Sequence, residues 1–474
     1  MSHPNSPQAM SLNNEQNLVR NVVSEHLQAT LSGEKPEPLL QLVHGASGTG
    51  KTVLVRALFA VFEAHSSTNL LLTGSASDVA AKTLNAVYIT KATLTPTLMA
   101  NKQYIVIDDC SALSATLLRE LALLMGGAND GARNKNMFGL RNVVLFADIA
   151  QHPPSGRYWD TVWWPTTTAA PFIKPFFENV QVLQRDMTGS MEVWSSLLCH
   201  VRTQCTNLGD VQLLNTRAAQ TNGIASMNIL LPHEDAIVVT TSDTQRQYWN
   251  INFACRFARA TRKTLFISPA SDVLVFQDGD RLSSDDFDKM KERFKREFTL
   301  LRGVYLFVGM IVTITQSELR HVWGEVTEIV VDDRDVVEEE AHDVRLKYGV
   351  AQVTVHVSQK IIAANPGMNE LVIIKPVMVP FKVPHPCETR REIVIERTQL
   401  PLVPRYAITE EDTMGQRFNK VVVDTSSGLS RYKSLYQVLT RVTGLGSLVL
   451  TSLVQGLGDN CDNVAAQDIL DVIT

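Results

Sequence analysis

The sequence predicts an α/β protein built on parallel sheets, with a small β-rich insertion late in the chain. Three observations carry this. From Leu39 onward, short apolar runs alternate with helical stretches, the pattern of strands covered by helices. A glycine-rich loop joins the first of those strands to the first of those helices. Beyond Gly303 the alternation gives way to β-branched runs divided by turn signals such as Asn365-Pro366-Gly367.

Taken in order, Leu39 to Val43 reads as a buried strand and Lys51 to His65 as a helix with one apolar face. Asn69 to Leu72, Tyr104 to Ile107 and Asn142 to Phe146 read as further strands, with helices at Ser75 to Val87 and Ala112 to Met125. The stretch Pro153 to Pro175 has Trp159, Trp163 and Trp164 but no period, and reads as an interdomain passage. A second alternating region follows from about Phe176, with a strand at Ala236 to Thr240 and a charged helix at Asp285 to Phe298. The insertion has strands at Ile311 to Ile314, Val326 to Val331, Val353 to Val357 and Leu371 to Ile374, and its acidic run Asp332 to Asp343 reads as a solvated loop. From about Thr398 the α/β character resumes, with a strand at Lys420 to Val423 and a helix at Lys433 to Val442. The expected organisation is a disordered tail (1–11), a first domain (12–165), a second domain in two pieces (170–302 and 396–474) and the insertion (303–395).

Composition narrows the class. With 45% hydrophobic and 20% charged residues the chain is foldable rather than disordered. A net charge of -5 gives no global basic signal, although a nucleic-acid groove needs only local cations. Six scattered cysteines without a CxxC pair argue against a disulfide framework or a zinc site. No run of about 18 apolar residues is present, and the first ten residues lack a signal-peptide pattern. The expectation is an intracellular protein with no membrane association.

The chemistry starts at Gly45-Ala46-Ser47-Gly48-Thr49-Gly50-Lys51-Thr52, which follows a strand and opens a helix. Glycines let backbone N–H groups approach phosphate oxygens, and the helix N-terminus favours the negative charge. Lys51 is placed to reach the β- and γ-phosphates of ATP, and the Thr52 hydroxyl to ligate Mg²⁺. Such a site needs an acidic residue at the end of a neighbouring strand, which Asp108 and Asp109 supply after Tyr104 to Ile107. For single-stranded nucleic acid, Arg246, Arg256, Arg259, Arg262 and Lys263 with Trp249 and Phe257 form a candidate track, equally readable as a solvated helix face over core aromatics.

Further motifs suggest a family. Leu12 to Gln16 upstream of the loop, Thr73-Gly74 through Thr83, and Ala147-Asp148-Ile149-Ala150-Gln151-His152-Pro153-Pro154 resemble helicase motifs Q, Ia and III. Leu183-Gln184-Arg185 with Leu197 to Arg202, Arg397 to Thr409, and Tyr436 to Val442 with Thr440-Arg441 resemble motifs IV, V and VI. In this order and spacing they resemble the petite-integration-frequency (PIF) type of superfamily 1 DNA helicase, nearest to its fungal transposon-associated members. The resemblance covers Leu12 to about Ser452. It implies two RecA-like P-loop domains with a small β-barrel insertion in the second, and a 5′-to-3′ ATP-dependent motor on single-stranded DNA or DNA junctions. It also implies a setting in DNA repair and recombination, in the nucleus rather than the cytoplasm. Gln16 then reads adenine, Gln151 couples the γ-phosphate to DNA, and Arg185 and Arg441 are arginine fingers. Thr73, Gly74, Thr83 and Thr409 touch the DNA backbone.

Departures from the family fall on chemistry. Motif II carries Asp109 where relatives have Glu, shorter by about 1.5 Å. Motif V reads Glu411-Asp412-Thr413-Met414-Gly415 in place of HKSQG, setting anions beside a phosphate backbone. The stretch Leu84 to Gln103 is short, Trp323 replaces the Asn of an NG pair, and Ala147 replaces a glycine. A degenerate relative that binds nucleotide without turnover, and an unrelated P-loop enzyme such as a small-molecule kinase, are the alternative readings.

Overall fold

A computed structural model describes residues 11–126, 138–151, 176, 178–189, 191–219, 236–275, 303–316, 319–338, 341–364, 367–384, 392–427 and 432–454. The passage at 153–175 and the charged helix at 285–298 lie outside the described residues. The chain forms two compact units: Met1–Gly223 with Glu410–Thr474, and Ile224–Thr409.

The first unit opens with α1 (Asn14–Leu31), which starts at a reciprocal cap. Asn13 Oδ1 accepts the Gln16 N–H at 2.8 Å, and Gln16 Oε1 accepts the Asn13 N–H at 2.9 Å. There follow β1 (Leu40–Gly45), α2 (Lys51–Ala64), β2 (Leu71–Ser75), α3 (Asp78–Leu84), β3 (Val87–Tyr88), α4 (Pro96–Met99), β4 (Tyr104–Asp108), α5 (Ala115–Leu124), β5 (Asn142–Ala147) and β6 (Val180–Leu183). Helices α6 (Glu192–Thr203) and α7 (Leu208–Asn215) complete this stretch. The strands make one parallel sheet in the order β3-β2-β4-β5-β1-β6.

The period-2 alternation of a strand sorts its residues between the two faces. Leu40, Leu42, Ile105, Ile107, Val143 and Leu145 join a core closed by Leu118 and Leu121 of α5. Their neighbours Val43, Tyr104, Val106, Val144 and Phe146 join the opposite core, against Val19, Val23 and Leu27 of α1 and Leu54, Leu58 and Phe62 of α2. Burial on both faces is why these strands read as unbroken apolar runs. It also aligns the carboxyl ends of β1, β4 and β5 as a row, where doubly wound sheets bind ligands.

The second unit begins with β7 (Ala236–Thr240) and α8 (Asp243–Ala260). Strand β8 (Leu265–Pro269) and β9 (Ser271–Val275) lead to β10 (Gly303–Leu306), β11 (Ile311–Ile314), β12 (Trp323–Val331), β13 (Asp343–Arg345) and β14 (Val350–Val357). Helix α9 (Gln359–Ala364) precedes β15 (Leu371–Ile374), β16 (Val377–Pro384), β17 (Glu392–Gln399), β18 (Leu402–Pro404) and β19 (Ala407–Thr409). The β-rich region expected past Gly303 is centred on an antiparallel five-stranded sheet, β15-β14-β12-β11-β18. Strands β16, β17 and β9 form an antiparallel ribbon, while β19 and β7 pair in parallel. Over its described residues the acidic run is the exposed loop expected: the Asp335 carboxylate accepts the N–H groups of Lys347, Tyr348 and Gly349, and Asp343 opens β13.

The chain then returns to the first unit with β20 (Lys420–Val423), α10 (Tyr432–Leu439) and β21 (Leu448–Leu450). Strands β20 and β21 pair in parallel, and α10 packs on α6. Gly415, just before β20, has φ +70° and stands against the Ala80 backbone of α3, so two constraints exclude a side chain there.

A further glycine carries a test. Gly324 lies in β12, where an added Cβ would overlap the His356 carbonyl oxygen of β14. Gly324→Ala is expected to lower stability by about 1–3 kcal/mol through this backbone clash. An unchanged denaturant midpoint for the variant would refute that reading.

Candidate nucleotide site

The loop from Gly45 to Thr52 is stretched between the end of β1 and the first turn of α2, with Gly48 at φ +90° and Gly50 at φ +82°. Those left-handed positions need glycine, which is why they recur in this motif. Lys51 Nζ donates to the Gly45 carbonyl at 2.8 Å and to the Ala46 carbonyl at 3.0 Å. Burial lowers the pKa of its ammonium, opposed by the charges of Asp148, Asp109 and Asp108.

Thr52 Oγ1 donates to Asp108 Oδ2 at 2.9 Å, which joins the start of α2 to the end of β4. Asp108 is fully buried, and burial, then the neighbouring Asp109 charge, raises its pKa. A buried carboxylate biased toward protonation beside a hydroxyl is a donor pair that a divalent cation would neutralise, so these two groups fit Mg²⁺. Among the described residues no cluster of three or more metal-ligating side chains exists, which leaves most of such an ion's coordination to phosphate and water. Asp109 takes a left-handed conformation, φ 50°, directly after the strand.

The third strand end supplies the centre of the site. Asp148, fully buried after β5, accepts the Tyr436 O–H at Oδ2 (2.8 Å) and the Arg202 Nε–H and Nη2–H at Oδ1 (both 3.2 Å). Burial alone would raise the Asp148 pKa, but Arg202, Lys51, His44 and the Tyr436 hydrogen bond outweigh it and hold the group ionised. The Tyr436 oxygen in turn accepts the Ser47 N–H of the loop at 3.1 Å. Arg202 Nη2 also donates to His44 Nε2 at 3.0 Å, so the ring proton of His44 is assigned to Nδ1. His44 immediately precedes Gly45, and the bonds therefore run from the loop, through α6 and α10, back to the loop.

The expected site residues divide. Lys51, Thr52, Asp108, Asp109 and the loop glycines come together, and Arg441 joins them: it is buried, its Nε donates to the Gln437 carbonyl, and Asp109 is its strongest opposing charge against the burial that lowers its pKa. Gln16 is buried beside the loop, with Nε2 donating to the Thr49 carbonyl at 3.0 Å and Oε1 used by the α1 cap. Gln151 is buried, and its N–H closes a turn onto the Asp148 carbonyl. Arg185 is exposed; its backbone N–H reaches Glu15 Oε2 at 3.4 Å. Thr73 is half-buried on β2 and Gly74 is buried behind Ile89. The side chain of Thr83, and His152 to Pro154, lie outside the described residues. Thr409 belongs to the second unit, on β19 beside Thr240.

Of the candidate nucleic-acid track, Arg256, Arg262 and Lys263 are exposed on or just after α8, and Arg259 pairs with Asp343 at 3.3 Å. The aromatics Trp249 and Phe257 are half-buried and packed on other rings. Trp249 stacks on buried Phe253 at 5.6 Å, and Phe257 stacks on Tyr406 at 5.2 Å. The motifs assign no role to Asp148, Arg202 or the Tyr436 hydroxyl, although all three fall inside motif-like segments. His44 lies outside them and stands out as a polar residue inside an apolar strand run.

His44 gives a pH test. Burial takes its pKa from 6.5 down to about 4, with Asp148 opposing and Arg202 and Lys51 reinforcing. The unfolded chain therefore binds this proton below pH 6.5 while the folded chain does not, so its stabilising contribution is complete above 6.5 and lost toward 4. The raised Asp108 acts in the opposite sense, so the informative quantity is the difference from a His44→Gln variant. Between pH 7 and pH 4 the wild type should lose up to about 3 kcal/mol relative to that variant. Parallel pH profiles in denaturant melts would rule this out.

No family model and no curated protein sequence matches the chain. Solved structures do. Pif1 helicase from Candida albicans superposes with a TM-score of 0.62 at 16% identity, over 98% of each chain. Pif1 helicase from Bacteroides in complex with ADP-AlF3 and ssDNA gives 0.58 at 15% identity, over 94% of each. A structure of two coordinating Pif1 helicases at forked dsDNA gives 0.58 at 15% identity, over 94% of this chain and 93% of that one. Over nearly its whole length this protein has the fold of the Pif1 helicases, α/β with RecA-like parallel sheets.

Proposed function

We propose that this protein is an ATP-dependent DNA helicase or translocase of superfamily 1 that moves 5′-to-3′ on single-stranded DNA. The observation that carries the reading is the meeting of Lys51, Thr52, Asp108, Asp109, Asp148 and buried Arg441 at the phosphate loop. It is supported by the fold shared with Pif1 proteins solved with ADP-AlF3 and with DNA. The domain ranges that go with it are 12–165, 170–302 with 396–474, and an insertion at 303–395, and the compartment is the nucleus.

The groups divide the work as follows. Loop N–H groups and Lys51 bind the nucleotide phosphates, and Gln16 turns from Thr49 to the adenine edge. Thr52 and Asp108 would hold Mg²⁺, which would supply neutralisation of the nucleotide's phosphate charge. Asp109 orients the attacking water and takes its proton. Arg441 stabilises the charge on the transferred phosphoryl group, a role worth about 10³ to 10⁵ in rate among such enzymes, with Arg185 as its partner finger. Gln151 links phosphate state to DNA, and Thr73, Gly74, Thr83 and Thr409 meet the DNA backbone.

A second reading has its own observations. Asp109 is one bond shorter than the family's Glu, and Glu411 and Asp412 stand where a cation is expected, so a degenerate helicase relative that binds nucleotide, and DNA only weakly, without productive turnover fits these positions. A water misplaced by about 1 Å costs about a hundredfold in rate.

ATP hydrolysis by the full chain, measured with and without single-stranded DNA, separates the readings. DNA-stimulated turnover that Lys51→Ala abolishes is expected for the motor. Asp109→Glu should raise that turnover, by as much as about a hundredfold. Nucleotide binding without hydrolysis in both wild type and Asp109→Glu would leave only the non-catalytic reading.

A further inference from the structure

Ser47 lies inside the phosphate loop, and its N–H is one of the backbone donors that such loops aim at phosphate oxygens. In this protein that donor is already engaged by a side chain from the far end of the chain, the hydroxyl of Tyr436. The phenol is fully buried and donates its own proton to Asp148, so its orientation is determined from both sides. Asp148 is anchored independently by Arg202. Nothing about this bond resembles an accidental contact of a mobile surface residue.

An N–H forms one strong hydrogen bond at a time. A phosphate oxygen that reaches Ser47 must therefore displace the Tyr436 oxygen. The exchange is downhill, because a neutral phenol is a weaker acceptor than a charged phosphate oxygen. Lys51 makes a parallel exchange when it leaves the Gly45 and Ala46 carbonyls.

We propose that the Tyr436 hydroxyl is an internal occupant of the phosphate loop, displaced from the Ser47 N–H by nucleotide phosphate while it stays bonded to Asp148. Tyr436 is thus a positioning residue that sets nucleotide affinity. The inference rests on reading the loop as a nucleotide site. It makes an uncommon prediction, because deleting a hydrogen-bonding group from a binding site ordinarily weakens binding. Removing this hydroxyl orphans the Ser47 N–H only until phosphate arrives, whereas the donor lost by Asp148 is lost before and after binding and cancels.

The test is calorimetric titration of the full chain and its Tyr436→Phe variant with Mg-ADP and Mg-ATPγS. The variant is expected to bind both about five- to tenfold more tightly, the worth of one neutral hydrogen bond. Unchanged or weaker binding by a variant that melts cooperatively would overturn the proposal and leave Tyr436 a packing residue. If the Phe variant does not fold, 3-fluorotyrosine at position 436 keeps the hydroxyl but makes it a poorer acceptor, and binding should tighten about twofold; no tightening overturns the proposal equally. Failure of the wild type to bind either nucleotide would instead sink the nucleotide reading itself.

Discussion

The buried carboxylate of Asp148 is the constraint around which the site is organised. A charge with no access to water is costly unless paired and hydrogen-bonded. Asp148 meets that requirement with the Arg202 guanidinium and the Tyr436 hydroxyl. Each partner then has a second obligation: Arg202 to His44 and Tyr436 to Ser47. Three segments distant in sequence are thereby tied to both flanks of one loop. Removing Arg202 would strand a buried charge, which typically costs about 3–5 kcal/mol. The arrangement is held more by the penalty for breaking it than by the net strength of its bonds.

Around this centre the electrostatics sort the remaining groups. Burial pushes Asp108 toward its neutral form, while Asp148, better supplied with positive neighbours, stays ionised. Lys51 and Arg441 are also buried, which lowers the pKa of each, opposed in both cases by Asp109 and Asp148. Two carboxylates a strand apart thus sit in different protonation balances because their partners differ. A cation beside Asp108 would relieve the first imbalance and an anion beside Lys51 the second.

Much of the site's frame was readable locally. A loop with glycines at Gly48 and Gly50, preceded by an apolar run and followed by an amphipathic helix, leaves little freedom about where phosphate binds. Asp108 follows from the same logic, since it closes the apolar run Tyr-Ile-Val-Ile at the carboxyl edge of the sheet. The strands were legible because both faces are buried, although Asn69-Leu70 proved to be a short 3-10 turn ahead of β2 rather than part of it. The aromatics of α8 were not legible in this way. A helix presents Trp249, Phe253 and Phe257 on one face whether that face meets bases or Tyr406, and only packing distinguishes them.

Sequence by itself determined the parallel α/β class, the phosphate loop, and its acidic partner, because each depends on residues within a few positions or on one repeating period. Tertiary structure decided what Tyr436, Arg202 and His44 do. Tyr436 and Asp148 are 288 positions apart and share no local pattern. Their bond exists because β5 ends beside the loop and α10 packs against α6, a coincidence of folding that no spacing rule encodes.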